Sequence, residues 1–382
     1  MSIYLDHAST TPMVSGAIEA MRTQLEKLGN PSSLHTQGRE VRKELELARE
    51  QLAKVIGCHA SEIIFTGSGT EANNTAIKGL YWKNRALGRN LVVISAIEHH
   101  AILDPAHWLH DHDGAEVVSI GVTKSGVVDL DALKVLIDNR GDEIAVISVM
   151  HSNNETGVIQ PIAQIVAMAN VASIPVHSDC VQSFCKVPLS FAELGLTAMT
   201  LSAHKIGGPL GIGILVLKRG IDIPAILHGG GQERDIRSGT LNAPSIVGFA
   251  VAATSSIPVA EIAELREEFT SGVLAEIPDA FLNGDSAQEH LPGIVNITFP
   301  GTESDTLLLL LDSKGISAST GSACTAGVQR PSHVLLAMGH NDKSARSSLR
   351  FSLGATTTRD EIKKVIELLP SVIEQARTAN LR

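Results

Sequence analysis

Short runs rich in valine and isoleucine alternate with amphipathic stretches through the first half of the chain, and this alternation limits the possible folds more than any other feature. The expected strands lie at 62–66, 91–95, 116–120, 144–149 and 174–178. Helical periodicity is clear at 39–56, 130–139 and 162–171. Strands that alternate with helices in this way build a mostly parallel sheet covered on both faces. The sequence therefore predicts an α/β fold.

Two further strands are expected at 198–202 and 213–217, and a glycine-rich turn separates them. Because the connection is short and contains several glycines, we expect an antiparallel hairpin. We place this hairpin at one edge of the sheet.

The second half of the chain predicts a smaller domain. Pro258 opens a long charged helix at about 259–277, which is suited to bridge two domains. With 382 residues, 43% of them apolar, the chain is long enough for two cores. We expect a large domain at 15–257 and a smaller α+β domain made of 1–14 and 258–382.

Charge and composition exclude several classes of ligand. The net charge is −10, the lysines and arginines are scattered, and aromatic residues make up only 3% of the chain. We therefore expect no direct binding to nucleic acid. The chain shows neither a long apolar run nor a signal-peptide pattern, which predicts a cytoplasmic protein without membrane contact. The cysteines form no zinc spacing and are expected to be reduced thiols.

The segment from Gly67 to Asn74 joins a predicted strand to a predicted helix. Such a junction directs backbone N–H groups and a helix dipole at a phosphate. The spacing Gly67-x-Gly69-x-x-Ala72 also fits a dinucleotide site. That alternative requires an acid about 20 residues further on. Glu98 is the nearest candidate and lies too far along, so the dinucleotide interpretation fits poorly.

Lys205 follows a predicted strand and is surrounded by small uncharged residues. Desolvation lowers the pKa of a lysine and makes it a nucleophile. Asp179 follows a neighbouring strand, so a lysine and a carboxylate are expected at one edge of the sheet. These are the two protein groups that pyridoxal phosphate needs. Thr70 would help to hold the phosphate, and His99 could stack on the ring.

Two residues of the second domain also carry chemistry. Cys324 lies among serine, alanine, glycine and threonine, which leave little to bury its thiol, so a reactive cysteine is favoured. Arg350 alternates with apolar residues in a predicted strand, and a guanidinium is a natural clamp for a substrate carboxylate. The histidines near His99 lack a metal-binding spacing, and we expect no metal.

Ten sequence blocks resemble those of the pyridoxal-phosphate-dependent cysteine desulfurases, a group within the class V aminotransferases. They are YLDHASTTP at 4–12, GNPSSLH at 29–35, FTGSGTEANN at 65–74, EHHA at 98–101, HSNNETG at 151–157, HSDCVQ at 177–182, SAHKIGGP at 202–209, GGGQERDIRSGT at 229–240, STGSACTAG at 319–327 and SLRFSLG at 348–354. The resemblance implies the fold-type I architecture of such transferases and a homodimer.

The resemblance also assigns roles to residues. It implies catalytic roles for Lys205, Cys324 and His99. The cofactor would be held by Gly69, Thr70, His99, Asn154, Asp179, Gln182, Ser202, His204 and Lys205, with Thr240 arriving from the partner subunit. The substrate would be bound by Arg350, Asn154 and Asn30.

The implied reaction converts L-cysteine to L-alanine and leaves the sulfur on Cys324 as a persulfide. An acceptor protein would then take the sulfur for iron–sulfur cluster assembly or for thiolation of tRNA or cofactors. A selenocysteine lyase or an aminotransferase of the same fold remains an alternative, as does a non-catalytic sulfur-carrier subunit. Cys324 favours the desulfurase, because transamination needs no thiol.

Overall fold

The computed structural model describes residues 2–284, 289–320 and 330–380. The helices and strands, in chain order, are β1 (Ile3–Tyr4), α1 (Ser15–Leu25), α2 (Thr36–Ile56), β2 (Ile63–Thr66), α3 (Gly69–Arg85), β3 (Leu91–Ser95), α4 (His100–Asp113), β4 (Glu116–Ile120), α5 (Leu130–Arg140), β5 (Ile144–Ser148), α6 (Ile162–Val171), β6 (Val176–Asp179), α7 (Phe191–Leu194), β7 (Ala198–Ser202), β8 (Gly213–Leu217), α8 (Ala243–Thr254), α9 (Val259–Glu276), β9 (Phe281–Leu282), β10 (Ile294–Thr298), α10 (Ser304–Ser313), β11 (Ile316–Ser317), α11 (His333–Ala337), α12 (Asp342–Arg346), β12 (Ser348–Ser352) and α13 (Arg359–Asn380). Short 3₁₀ helices cover Ala60–Glu62 and Ala203–Ile206.

The central sheet has the strand order β2-β8-β7-β6-β5-β3-β4. Neighbouring strands from β7 through to β4 are parallel, whereas β8 is antiparallel to both of its neighbours. Buried apolar residues of α2, α6 and α8 cover one face, and those of α3 and α4 cover the other. The predicted mostly parallel α/β sheet is therefore confirmed.

The antiparallel hairpin of β7 and β8 is confirmed, but its predicted place at the edge of the sheet is wrong. β2 pairs with the outer side of β8 and takes the edge position. Every residue of β8 is buried, so an unpaired outer edge would leave buried backbone groups without hydrogen bonds. The apolar pattern showed that β8 is buried on both faces but not which strand would pair with it.

The later part of the chain builds a second core. β12, β10 and β9 form an antiparallel sheet, and β1 from the N-terminus pairs in parallel with β11. The long helices α9 and α13 pack on these strands through residues such as Phe269, Phe351 and Leu369. The division at residues 15 and 258 agrees with these pairings and stays a prediction.

Helix ends in the described chain follow local chemistry. α2 ends at Gly57, which has φ of 71° and closes the helix as a left-handed C-cap. His99 forms the N-cap of α4.

None of the described helices is by itself long and apolar enough to cross a membrane. The bent pair of α8 and α9 meets that test by length and composition when the two helices are taken together.

Candidate active site

A cavity of about 450 Å³ opens where β3, β5, β6 and β7 end and α3 begins. This is the edge at which ligands of parallel sheets bind. The predicted site residues that line it are Gly69, Thr70, His99, Asn154, Asp179, Gln182, Ser202, His204, Lys205 and Arg350. They come from widely separated parts of the chain, so the fold brings the predicted groups into one place.

Three other predicted site residues are not among the described residues that line this cavity. Asn30 lies at an exposed turn, where its side chain accepts a hydrogen bond from the backbone N–H of Ser32. Thr240 is exposed and was expected to serve the partner subunit's site. Cys324 lies outside the described residues.

Lys205 is partly buried within the 3₁₀ helix that follows β7. Its Nζ donates hydrogen bonds to the backbone carbonyls of Ala8 and Ser9, both at 2.7 Å. Burial lowers the pKa of this amine to about 8, and the positive charge of Arg350 adds to the effect. Asp6 and Asp179 act in the opposite direction. About a tenth of the amine is therefore neutral at pH 7, far more than for an ordinary lysine, and a nucleophile or base needs this neutral form.

Asp179 is the last residue of β6 and is 7% exposed. Its Oδ2 accepts a hydrogen bond of 2.6 Å from Asn73 Nδ2, and its Oδ1 accepts one of 2.9 Å from the N–H of Val181. Within the described chain it forms no ion pair with a cation. A buried carboxylate without a cation is suited to stabilise a positive charge on a bound ligand.

The first turn of α3 faces the same cavity. Ser68 caps the helix by accepting a hydrogen bond from the N–H of Glu71. A Cβ on Gly69 would lie 3.1 Å from Val181 Cγ2, so a larger residue would crowd the Val181 side chain at this point. Helix N-termini expose backbone N–H groups that bind anions, and Gly69 and Thr70 carry such groups. The turn is suited to hold a phosphate.

His99 stands at the opening of the cavity, between β3 and α4. Its Nδ1 accepts a hydrogen bond of 3.0 Å from the N–H of Ala101. That bond requires the other ring nitrogen to carry the proton when the ring is neutral. Desolvation lowers the pKa of His99, which favours this neutral form, and Lys205 contributes in the same direction.

Arg350 reaches the cavity from β12 of the second core and is 3% exposed. Its Nη1 donates to the carbonyl of Asn154, and its Nη2 donates to Asp6 Oδ1 and Ser9 Oγ. Its Nε is buried and has no hydrogen-bond partner among the described residues. A buried guanidinium with an unused donor is suited to bind a carboxylate.

The sequence analysis missed two residues that hold the site in shape. Asn73 orients Asp179 and lies one helical turn after Gly69, so helical spacing on α3 was the available signal. Glu98 was considered only as a dinucleotide ligand. Its Oε1 instead accepts hydrogen bonds from Ser95 Oγ and from the N–H of Met150, which fixes the segment before His99. Burial raises the pKa of Glu98 to about 8.

The polar segment at 228–240 is held in place by two ion pairs. Arg49 of α2 and Glu233 form a buried bidentate pair, with side chains 10% and 2% exposed. Arg237 pairs with Glu71 in the first turn of α3. Arg234 and Asp235 both have a positive φ of 57°, which is unfavourable for residues with a Cβ. Such strain persists only where the surroundings impose it.

Replacing Glu233 with glutamine is therefore expected to reduce the free energy of unfolding by about 3 kcal/mol, because Arg49 would keep a buried charge without its main partner. Urea denaturation measures this change. Glu116→Gln, which removes an exposed ion pair with Arg140, is the matched control and is expected to change it little. Equal effects of the two substitutions would contradict the structural role of the Arg49–Glu233 pair.

The fold and the cavity together define a class of enzyme. A desolvated lysine, a carboxylate without a cation and an anion-binding helix N-terminus converge at one edge of a mostly parallel sheet. These are the groups that hold pyridoxal phosphate, so the donor set fits this cofactor. Residues 3–365 match the aminotransferase class-V family.

The relatives narrow this class. The chain is 47% identical over 385 residues to an IscS-like cysteine desulfurase of Mycobacterium tuberculosis, a match that covers 99% of this chain and 98% of the relative. It is 39% identical to the cysteine desulfurase NifS of Azotobacter vinelandii. That match covers 99% of this chain and 94% of the relative. The chain belongs to the pyridoxal-phosphate-dependent cysteine desulfurases of the aminotransferase class-V family.

Solved structures support the same conclusion. A NifS-like protein from Rickettsia africae superposes with a TM-score of 0.87 at 33% identity, covering 98% of this chain and all of that one. A structure titled SspA in complex with cysteine has a TM-score of 0.83 at 32% identity, covering 94% of this chain and all of that one. The fold-type I architecture, the cofactor and the substrate L-cysteine agree with the sequence analysis. The dinucleotide interpretation is wrong.

Proposed function

We propose that this desulfurase divides its chemistry between Lys205, which binds the cofactor and moves a proton, and Cys324, which takes the sulfur. The observation that carries the proposal is the convergence of Lys205, Asp179 and Arg350 on one cavity from three separate segments. Lys205 and Asp179 would engage the cofactor, while Arg350 would engage the substrate.

Arg350 would bind the carboxylate of L-cysteine and so orient the substrate. Its Nη atoms are already held by Asn154, Asp6 and Ser9, which fixes the plane of the guanidinium. Nη1 donates one hydrogen bond among the described residues, so its second N–H would be available to the incoming carboxylate. A guanidinium fixed in this way reduces the entropy lost when the substrate binds.

The remaining cavity residues would hold the cofactor. Gly69, Thr70, Ser202 and His204 would bind its phosphate, Asp179 would face the ring nitrogen, and Gln182, Asn154 and His99 would contact the ring. Burial lowers the pKa of His204 to about 4, so it would serve as a neutral hydrogen-bond donor. When bound, pyridoxal phosphate supplies an electron sink that stabilises negative charge developing next to the substrate amine.

Lys205 would remove the proton from the α-carbon of the substrate. Because its pKa is about 8, its amine accepts a proton readily near neutral pH and releases it again. His99, held as the Nε2–H tautomer, would donate a hydrogen bond into the cavity. Lys205 and His99 would thus both take part in proton movement within the cavity.

Cys324 would attack the sulfur of the substrate as a thiolate. A new S–S bond forms, the C–S bond of cysteine breaks, and its electron pair stays with the carbon skeleton, which takes up a proton and leaves as L-alanine. The product on the enzyme is the Cys324 persulfide. This step is supported by the other thiols: burial raises the pKa of Cys58 and of Cys185 to about 12, and that of Cys180 also rises. They are poor nucleophiles.

We further propose a cytoplasmic homodimer that passes sulfur to an acceptor protein for iron–sulfur cluster assembly or for thiolation of tRNA or cofactors. Free thiols at Cys58, Cys180 and Cys185 support a reducing compartment. Two ion pairs anchor the segment at 228–240, which ends in the exposed Thr240. This arrangement supports the proposal that Thr240 contacts the cofactor in the partner subunit's site. Sedimentation analysis tests the dimer, and a monomeric active enzyme would contradict it.

The rate at which the cofactor-free protein takes up pyridoxal phosphate covalently is expected to depend on the protonation of Lys205. Only the neutral amine forms the bond, so the rate constant should rise about tenfold per pH unit at low pH and level off above a pKa of about 8. Stopped-flow absorbance between pH 6 and pH 10 measures it. If the rate constant kept rising with pH toward the ordinary lysine pKa of about 10.4, the proposed desolvation of Lys205 would be contradicted.

A further inference from the structure

A second cavity, of about 390 Å³, adjoins the active site and shares only Ala8 and Lys205 with it among the residues described. Its walls come from the segment at 7–15, the chain after β6, the connection between α8 and α9, and the segments at 291–294 and 352–356. The cavity therefore lies between the two cores. Its size is in the range of cavities that hold small organic ligands.

The walls are largely apolar, with Val14, Ile206, Ile257, Ile262 and Leu353 among the lining side chains. No aspartate or glutamate is among the lining residues that the structure describes. Such a wall favours a compact apolar body and gives no counter-charge to a cationic ligand.

Lys186 supplies the charge of this cavity. The residue is partly buried, and its Nζ donates one long hydrogen bond of 3.4 Å, to Gln182 Oε1. It forms no ion pair with a carboxylate in the described part of the chain. The other cation on the wall, Lys205, is the lysine proposed to hold the cofactor. Lys186 is thus a sheltered, titratable amine that has no anionic partner among the described residues.

His7 does not compensate for this charge. Its Nδ1 is hydrogen-bonded to Thr11 Oγ1 at 2.7 Å, and burial lowers the pKa of the ring to about 4. The groups that act electrostatically on Lys186 are Lys205 and Arg350, which repel its charge, and Cys185, which favours it. Burial and these two cations lower the pKa of Lys186 to about 7. An anion bound beside Lys186 would offset the cost of burying its charge and the repulsion from Lys205 and Arg350.

We propose that this cavity is a second ligand site, which takes a small carboxylic acid with a compact branched apolar body and pairs its carboxylate with Lys186. The site is separate from the substrate carboxylate site at Arg350. Because Lys205 forms part of its wall, an occupant places a negative charge beside the lysine of the active site. The proposal does not depend on the role assigned to Cys324.

Isothermal titration calorimetry of the holoenzyme with 4-methylpentanoate tests the site, with 4-methylpentanamide as the neutral isostere. The acid is expected to bind at millimolar concentration, and the amide about tenfold more weakly, because it lacks the charge. Affinity for the acid should fall from pH 6.5 to pH 9, since Lys186 loses its proton over that range. Equal affinity for the two probes, or no binding of the acid, would overturn the proposal.

Two variants and a competitor locate the binding. Lys186→Met should abolish the preference for the acid, and Ser256→Leu, which enlarges an exposed residue of the cavity wall, should weaken binding of both probes. Saturating L-alanine, which occupies the active site, should not displace the acid. Competition by L-alanine would show that the acid binds at Arg350 and would overturn the proposal. L-cysteine turnover without probe separately tests the desulfurase chemistry.

Discussion

Lys205→Ala is expected to reduce conversion of L-cysteine to L-alanine by about 10³-fold or more, because both the covalent hold on the cofactor and the proton-transferring amine are lost. Among the described residues, Lys205 is the only lysine that lines the active-site cavity. Alanine production, measured after incubation with excess pyridoxal phosphate, provides the test.

Lys218→Ala is the matched control for this experiment. Lys218 follows β8 closely in the chain, is exposed and does not line the active-site cavity. We expect its removal to leave turnover close to that of the unmodified enzyme. If Lys205→Ala kept a comparable rate, Lys205 would have no essential part in the reaction. The visible absorption of the reconstituted proteins provides a second readout, because Lys205→Ala is expected to lose the absorption band of the proposed covalent complex.

Cys324→Ala is expected to retain the bound cofactor and the binding of L-cysteine but to lose persulfide formation and sulfide release by about 10²-fold or more. The reason is that the C–S bond cannot break efficiently without a nucleophile to accept the sulfur. Persulfide labelling of the intact protein, together with sulfide release under a reductant, measures both quantities.

Cys58→Ala serves as the control for the thiol experiment. Its thiol pKa is raised to about 12 by burial and by the nearby charge of Glu62, so it should contribute little as a nucleophile. If persulfide labelling were lost in Cys58→Ala but kept in Cys324→Ala, the sulfur would be carried by a group other than Cys324. Sulfide release that persists in Cys324→Ala would lead to the same conclusion. Retained cofactor absorbance in both variants shows that the fold is intact.

Much of the local structure follows from nearby residues in the sequence. α6, at Ile162–Val171, was predicted with its observed ends because its apolar residues repeat at helical spacing, and the C-cap at Gly57 depends on that residue's own conformational freedom. The groups that pyridoxal phosphate needs were visible as well. Asp179 ends β6 and Lys205 follows β7, and parallel strands end at a common edge. The chemistry was thus recognisable before any contact was known.

The tertiary structure alone decided which distant groups meet. Arg350 pairs with Asp6 across 344 positions of the chain, and Asn73 orients Asp179 across 106. The edge position of β2 and the cavity beside Lys186 arise in the same way. Sequence periodicity reports on neighbours three or four residues apart in a helix, or two apart in a strand. Contacts between separate segments depend on how whole elements pack, so the residue types and strand ends determined the chemistry, while packing determined its geometry.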